Sequence, residues 1–339
     1  MALLKKIYLL LLPLLLASCY EDFDPRIDTK PVLCLNSLIT PGRPINVKVS
    51  RTWVYTDEKG EKNHSVDDAD VKIYANGQPV GSDYLPKEGD CIQIHASSPK
   101  YGEAEAVVTV PIAPEISNVV FTPSVIRFSN KPVHTVSGID ADITFDIRIS
   151  MDFEDPVAAD DFYRMSYLTY MPQGFWADDE LMDQHSRSAY YVGLWGGSFD
   201  ALDPIFYEQT DAFEDVMGGN YHTLFFSDRQ FRGKTKSLTY GFSDCRFLIS
   251  EWDGSPESLD CGWLVTLFSI SESYYNWLCY AEQASGFILS DLADIGLSEP
   301  VWGYSNVSTG AGVVAAQSSA TVKIDLSDFL LKMLENPDI

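Results

Sequence analysis

Positive charge and histidine are the scarcest chemistry in this sequence. Lysine and arginine together number 24 against 49 aspartates and glutamates, and 339 residues contain 5 histidines, for a formal net charge of −25. A surface of that sign repels phosphate backbones and anionic lipid head groups, which excludes nucleic acid as a partner and excludes purely electrostatic membrane attachment. The histidines are scattered at His64, His95, His134, His185 and His222. None sits in an HExxH or HxH arrangement, so no metal-catalytic ligand set is legible. The stretch GGSFD, Gly196 to Asp200, is not the GxSxG turn that exposes a hydrolase serine. CxxC spacing is absent too, which removes zinc-ribbon and thioredoxin chemistry. Beyond the first residues no run is apolar enough to cross a bilayer.

The amino terminus carries what apolar continuity there is. MALLKK provides a basic start at Lys5 and Lys6, and IYLLLLPLLL follows. That run of about ten residues, broken at Pro13, is too short for a spanning helix, which needs roughly 20. Its size and charge order are those of a secretory signal peptide over residues 1–18. Leu16-Ala17-Ser18-Cys19 resembles the bacterial lipobox, in which the cysteine thiol is acylated and the chain is cut just before it. The alternative is an ordinary signal peptide with a chance cysteine. Glu21, Asp22 and Asp24 follow at once. They resemble the acidic export signal of lipoproteins that reach the outer face of the outer membrane, and a solvated acidic linker is the competing reading. Either way residues 19–30 form a short lipid-bearing tether. The expected location is the outer membrane, at the cell surface or otherwise on its periplasmic face.

The remainder, with 45% hydrophobic and 13% aromatic residues, is rich enough for packed cores. From Pro31 to Pro111 the text is short strands and turns. INVKVSRTWVY alternates at period two, and DVKIYANGQPV is interrupted by Asn76-Gly77, a hairpin signal. An immunoglobulin-like β-sandwich over residues 31–112 is expected. Pro111 and Pro114 mark a linker, and residues 113–339 read as a larger β-sheet domain. SISESYYNWLCYAEQAS is its one clear helix, with Ser271 as N-cap, and LSDFLLKMLEN is a second, short one. An oxidising compartment permits disulfides among Cys34, Cys91, Cys245, Cys261 and Cys279. Cys34 with Cys91 and Cys245 with Cys261 are the expected pairs, leaving Cys279 free; five small buried hydrophobes are the alternative.

Several stretches together resemble a family. SLITPGRPINVKVSRTW, DADVKIYANGQPV and PKEGDCIQIHASSPKYGEAEAVVTVP look like the first half of the Bacteroidota lipoproteins grouped as domain of unknown function 4249. FSDRQFRGK fits its middle, and ISESYYNWLCYAEQ with EPVWGYSNVSTGAGVVAAQS looks like its second half. The resemblance runs from about Pro31 to Ser318. It implies a lipoprotein encoded beside a TonB-dependent transporter, hence such a transporter as partner, and it implies no chemistry.

Two groups of residues invite a site. Asp152, Glu154, Asp155, Asp160 and Asp161 lie in DFEDPVAADDF, and Asp178, Asp179, Glu180 and Asp183 lie in ADDELMD. Loop carboxylates can hold Ca2+, although neither stretch has the EF-hand pattern and a solvated acidic loop is the plainer reading. The second group is aromatic: Phe175, Trp176, Tyr190, Tyr191, Trp195, Phe199, Phe206 and Tyr207. Exposed, such rings bind sugars or proteins; buried, they are core. Trp176, Tyr190, Tyr191 and Trp195 are the candidate contacts. The expected role is a non-catalytic binding or accessory component of TonB-dependent uptake. The alternatives are a stand-alone glycan- or peptide-binding adhesin and, behind it, a glycosidase using loop carboxylates.

Overall fold

The computed structural model describes residues 30–52, 64–136, 138–156, 160–171, 191–208, 222–252, 254, 259–285 and 303–336. The expected signal peptide, Cys19 and the acidic tether lie outside these residues, as do Trp176, Tyr190 and the whole ADDELMD group. The described protein is mainly β, with three sheets and no closed barrel.

Period-two alternation sets the first strand. In β1 (Leu33–Ile39), Leu33, Leu35 and Ile39 point into a core, while Asn36 and Leu38 point out. β2 (Lys48–Arg51) pairs antiparallel to it. β3 (Asp70–Ala75) and β4 (Gln78–Val80) form the expected hairpin, with Asn76 and Gly77 at φ 51° and 77°. Two positive φ angles in a two-residue loop match the right-handed twist of the strands it joins. β5 (Cys91–Ser98) and β6 (Gly102–Thr109) complete a four-stranded sheet in the order β4-β3-β5-β6. Its inner face, Ile73, Ile92, Ile94, Ala96, Ala104, Ala106 and Val108, packs on β1 in an aliphatic core.

The other face of this sandwich comes partly from the far end of the chain. β15 (Ala311–Asp325) runs parallel to β1, with Cys34 opposite Ala311 and Ile39 opposite Ala316. Its second half runs antiparallel to β14 (Gly262–Ile270), with Ile270 opposite Gln317 and Gly262 opposite Asp325. With β9 (Phe162–Tyr170) and β12 (Phe225–Ser227) they make one six-stranded sheet, β12-β9-β14-β15-β1-β2. The linker at Pro111 to Pro114 joins β6 to the next strand, but the hydrogen-bonded sheet crosses residue 112 through β1 and β15. Gly310 and Gly312 permit that crossing. A Cβ on Gly312, at φ +106°, would lie 2.1 Å from the carbonyl oxygen of Leu35.

The β9–β14–β15 half of the shared sheet faces a five-stranded sheet. β10 (Tyr191–Trp195), β13 (Thr235–Trp252), β8 (Ile139–Glu154) and β7 (Glu115–His134) are neighbours in that order, and β11 (Ser198–Asp200) pairs with β13. Between the sheets lies an aromatic core. Phe242 stacks on Trp263 at 4.8 Å, and Phe153 contacts Tyr163 and Phe231 at 4.9 and 5.6 Å. Two strands run far past the usual length of about 5–6 residues. SLTYGF and CRFLISEW are one strand, β13, with a bulge between Phe242 and Cys245 where Asp244 adopts φ 55°. β7 runs on past Pro123 and Pro132, because an edge strand has no outer partner for the missing N–H.

Helix α1 (Glu272–Ser285) starts where predicted. Ser271 Oγ accepts the Tyr274 N–H at 3.3 Å and the Ala316 N–H at 3.0 Å, so the cap also ties the helix to β15. The short helix α2 (Ser327–Glu335) buries Phe329, Leu330, Met333 and Leu334 over the end of the aromatic core.

The expected disulfides are corrected: none of the five described cysteines forms a disulfide. Cys34 alternates with the inward Leu33 and Leu35, and the exposed Cys91 precedes the inward Ile92. The two therefore sit on outer faces of opposite sheets, pointing apart. Cys245 lies in β13 and Cys261 just before β14, both buried, and burial pushes their thiols up to about 11 and about 12.

Candidate functional site

The site is built from the connection between β8 and β9 and the turn after β12. Asp155 leaves β8, and Asp160 and Asp161 lead into β9. Asp228 opens the turn that FSDRQFRGK makes: Phe231 N–H donates to Asp228 O at 2.8 Å, and Gly233 follows at φ 66°. Backbone bonds lock the two segments together, from Asp228 N–H to Asp161 O at 2.9 Å and from Asp155 N–H to Lys234 O at 3.4 Å. The consequence is that carboxylate oxygens of Asp155, Asp161 and Asp228 lie within 4.8 Å of one another.

Protein donors already serve two of the three. Asp155 accepts the Tyr163 hydroxyl and the Gly233 N–H, both at 2.6 Å. Asp228, fully buried, accepts Arg232 Nε at 3.0 Å, and the same guanidinium reaches Asp160. Asp161 is the one left over: its Oδ2 is buried with no hydrogen-bond partner among the described residues. Burial, then the charges of Asp155 and Asp228, raise its carboxyl to about 6. Burial likewise raises Asp228, and burial with the bond to Asp155 raises the Tyr163 phenol. Three carboxylates at this spacing are the donor set a hard cation such as Ca2+ takes. Here Arg232, Tyr163 and, below about pH 6, a proton on Asp161 supply the compensation from within the chain.

Asp160 and Asp161 also form one wall of a cleft of about 410 Å3 at the seam of the two cores. Val107, Val108, Thr109 and Pro111 come from β6 and its exit. Ser271, Glu272 and Ser273 come from the start of α1, and Tyr304 and Asn306 from the approach to β15. Side-chain bonds hold this last segment. Asn306 Nδ2 donates to Val314 O at 2.8 Å, and its Oδ1 accepts the Val314 N–H at 2.9 Å. Ser308 exchanges backbone bonds with Glu105 at 2.8 and 3.2 Å. Carboxylates, hydroxyls and an amide line the cleft, and no His, Cys, Lys or Arg does so among the described residues. Such a lining holds ligand groups by hydrogen bonds and charge. A roomier concavity, about 920 Å3, lies elsewhere, a slot between Pro44–Val47 and the β3–β4 hairpin with Lys72 as the one charged residue lining it among those described.

The sequence candidates therefore separate. Asp155, Asp160 and Asp161 are brought together, while Asp152 accepts a bond from Asn118 Nδ2 at 2.9 Å and Glu154 is exposed. Asp228 is the member that sequence reading missed, and its signal was a single acid amid the rings and cations of FSDRQFRGK. Among the aromatic candidates, Tyr191 and Trp195 belong to β10 with side chains outside the described part. Phe199 and Phe206 are core residues, Phe199 stacking on Tyr167 at 5.5 Å and Phe206 fully buried. Gly196 and Gly197 in GGSFD are structural: a Cβ on Gly197 would meet the Ser243 carbonyl at 1.7 Å.

The turns that carry the resemblance have physical roles too. Asp90 accepts from Asn76 Nδ2, Tyr84 hydroxyl and Lys87 N–H at 2.7–2.8 Å, which joins YANG to PKEGD. These bonds, Lys87 N–H foremost, hold its carboxyl below the usual range. A family model described as Domain of unknown function (DUF4249) matches residues 20–323. No curated protein and no solved structure matches the chain.

Proposed function

We propose, for a chain that belongs to the DUF4249 family, a non-catalytic binding role as a lipid-anchored accessory of a TonB-dependent uptake system. One observation carries the reading. AEAVVTVP, ISESYYN and GYSNVS all supply walls of the seam cleft, and FSDRQFRGK supports it through Asp228. The cleft's hydroxyls, amide and carboxylates suit ligand capture, and the lipobox at Leu16–Cys19 suits a chain tethered at a membrane. From Cys19 to the start of β1 at Leu33 the chain reaches at most about 50 Å. That reach keeps the sandwich beside whatever the membrane holds.

The test is a gentle detergent pull-down of the tagged full chain from its native membrane, with mass spectrometry of the eluate. A stoichiometric TonB-dependent transporter is the expected result. A solitary lipoprotein, or a chain whose mature amino terminus is not acylated Cys19, overturns the proposal.

A further inference from the structure

The structure points to a second site, away from the seam cleft, where the outer face of the shared sheet meets α1. The helix sends Tyr275 down onto Phe162 and Phe225, at ring distances of 4.5 and 5.8 Å. That rotation leaves Tyr274 and Trp277 facing sideways, their rings 6.0 Å apart and tilted by 37°. They form the wall of a groove of about 510 Å3. Its floor is the set of strand residues that the aliphatic core does not take. Leu38 lies opposite Ala315, and Asn36 lies opposite both Val313 and Lys48. Leu38 is 47% exposed and Trp277 39% exposed. A leucine and an indole side by side in water are a standing loss that a ligand would recover.

The charge of the groove is the reverse of the molecule's. The chain has 49 acids, yet among the described residues none lines this groove, and Lys48 is the single charged residue there, flanked by Asn36 and Asn46. We propose that the groove binds an acidic saccharide, a pyranose ring lying on Trp277 with its carboxylate toward Lys48 and its hydroxyls toward the two asparagines. An indole face takes the apolar side of a sugar ring, and the amides and ammonium take its oxygens. An acidic peptide fits less well. The backbone groups of β1, the middle strand of the floor, are spent on β15 and β2, which leaves no central strand for an extended peptide to pair with. This inference shares the binding character of the proposed function but needs neither the transporter nor the seam cleft.

The experiment is calorimetric titration of the detergent-solubilised full chain, in 0.15 M salt, with hexamers of galacturonate, mannuronate and glucuronate, with maltohexaose as the neutral control and a hexaglutamate peptide as the rival. At least one uronate hexamer should bind. Trp277→Ala should weaken it about tenfold or more, with Trp277→Phe recovering part of the loss. Lys48→Gln should weaken it about fivefold and leave any maltohexaose binding unchanged. Unaltered thermal unfolding of the variants separates lost binding from lost fold. Silence with all three uronates, equal binding of maltohexaose, tighter binding of hexaglutamate, or indifference to Trp277→Ala each overturns the proposal. Loss of the transporter in the pull-down would leave it standing.

Discussion

The two cores of this protein are packed from different materials on the same strand. The core under β1 is aliphatic, with Ala96, Ala104 and Ala106 facing Leu33 and Leu35. The core under β14 is aromatic, with Trp263, Phe242, Phe153, Tyr163 and Phe226 fully buried. β15 serves both, contributing Val314 and Ala316 to the first and Ile324 to the second. The lesson is that one strand can serve two cores of different make-up, because each half meets whichever sheet lies opposite it. The first half of β15 approaches β1 so closely that it needs Gly312, while its second half lies in the sheet that covers large rings.

The shared strand is where that comparison breaks most easily. Gly312→Val puts a branched side chain at φ +106° and against the Leu35 carbonyl. It should cost more than about 4 kcal/mol, read as loss of soluble chain or of the urea transition. Next come the cores themselves. Phe242→Ala should lose about 3–5 kcal/mol and Ile94→Val about 0.5–1.5 kcal/mol. Because the cores share β15, each variant should shift one common unfolding transition followed by tryptophan fluorescence and circular dichroism. Two separated transitions would make the cores independent units.

The seam between the cores has a pH signature. Asp161 titrates near 6 in the folded protein against an ordinary 3.8. Between those values the folded state holds a proton that the unfolded chain has released, so this group lowers stability as pH rises from about 4 to 6. In chelator-containing buffer Asp161→Asn should therefore raise stability at pH 7.5 by on the order of 1 kcal/mol, after discounting for its partial exposure. At pH 4 it should change little, and a matching gain at both pH values would refute the linkage. The smallest effect belongs to the exposed thiol. Cys91→Ser should move stability by less than about 0.5 kcal/mol, where loss of a native disulfide would cost about 2–5 kcal/mol. Native Cys91 should react with a thiol reagent while Cys245 and Cys261 stay protected until unfolding.

Local chemistry was legible. Ser271 reads as a cap and is one, Asn76-Gly77 reads as a turn and adopts it, and the alternation of β1 and β5 gives their inner faces directly. The acidic stretch before β9 was visible as a candidate, but its partner Asp228 lies 67 positions beyond Asp161 and no spacing rule connects them. The groove at Trp277 was invisible for the same reason. Helical periodicity places Tyr274 and Tyr275 next to each other, and only the packing of α1 decides which ring is buried.

By itself the sequence determined the class of the protein: a chain of strands with a single capped helix and a short second one, strongly acidic, with an apolar run ahead of Cys19. Those properties depend on neighbours in sequence, on side-chain period, and on net charge. The tertiary structure alone decided that β1 and β15 are partners, that the cysteines point apart, and that residues from four distant segments close one cleft. Contacts of that kind are chosen by which faces can be buried together, and a face finds its complement through the whole folded chain rather than through its own residues.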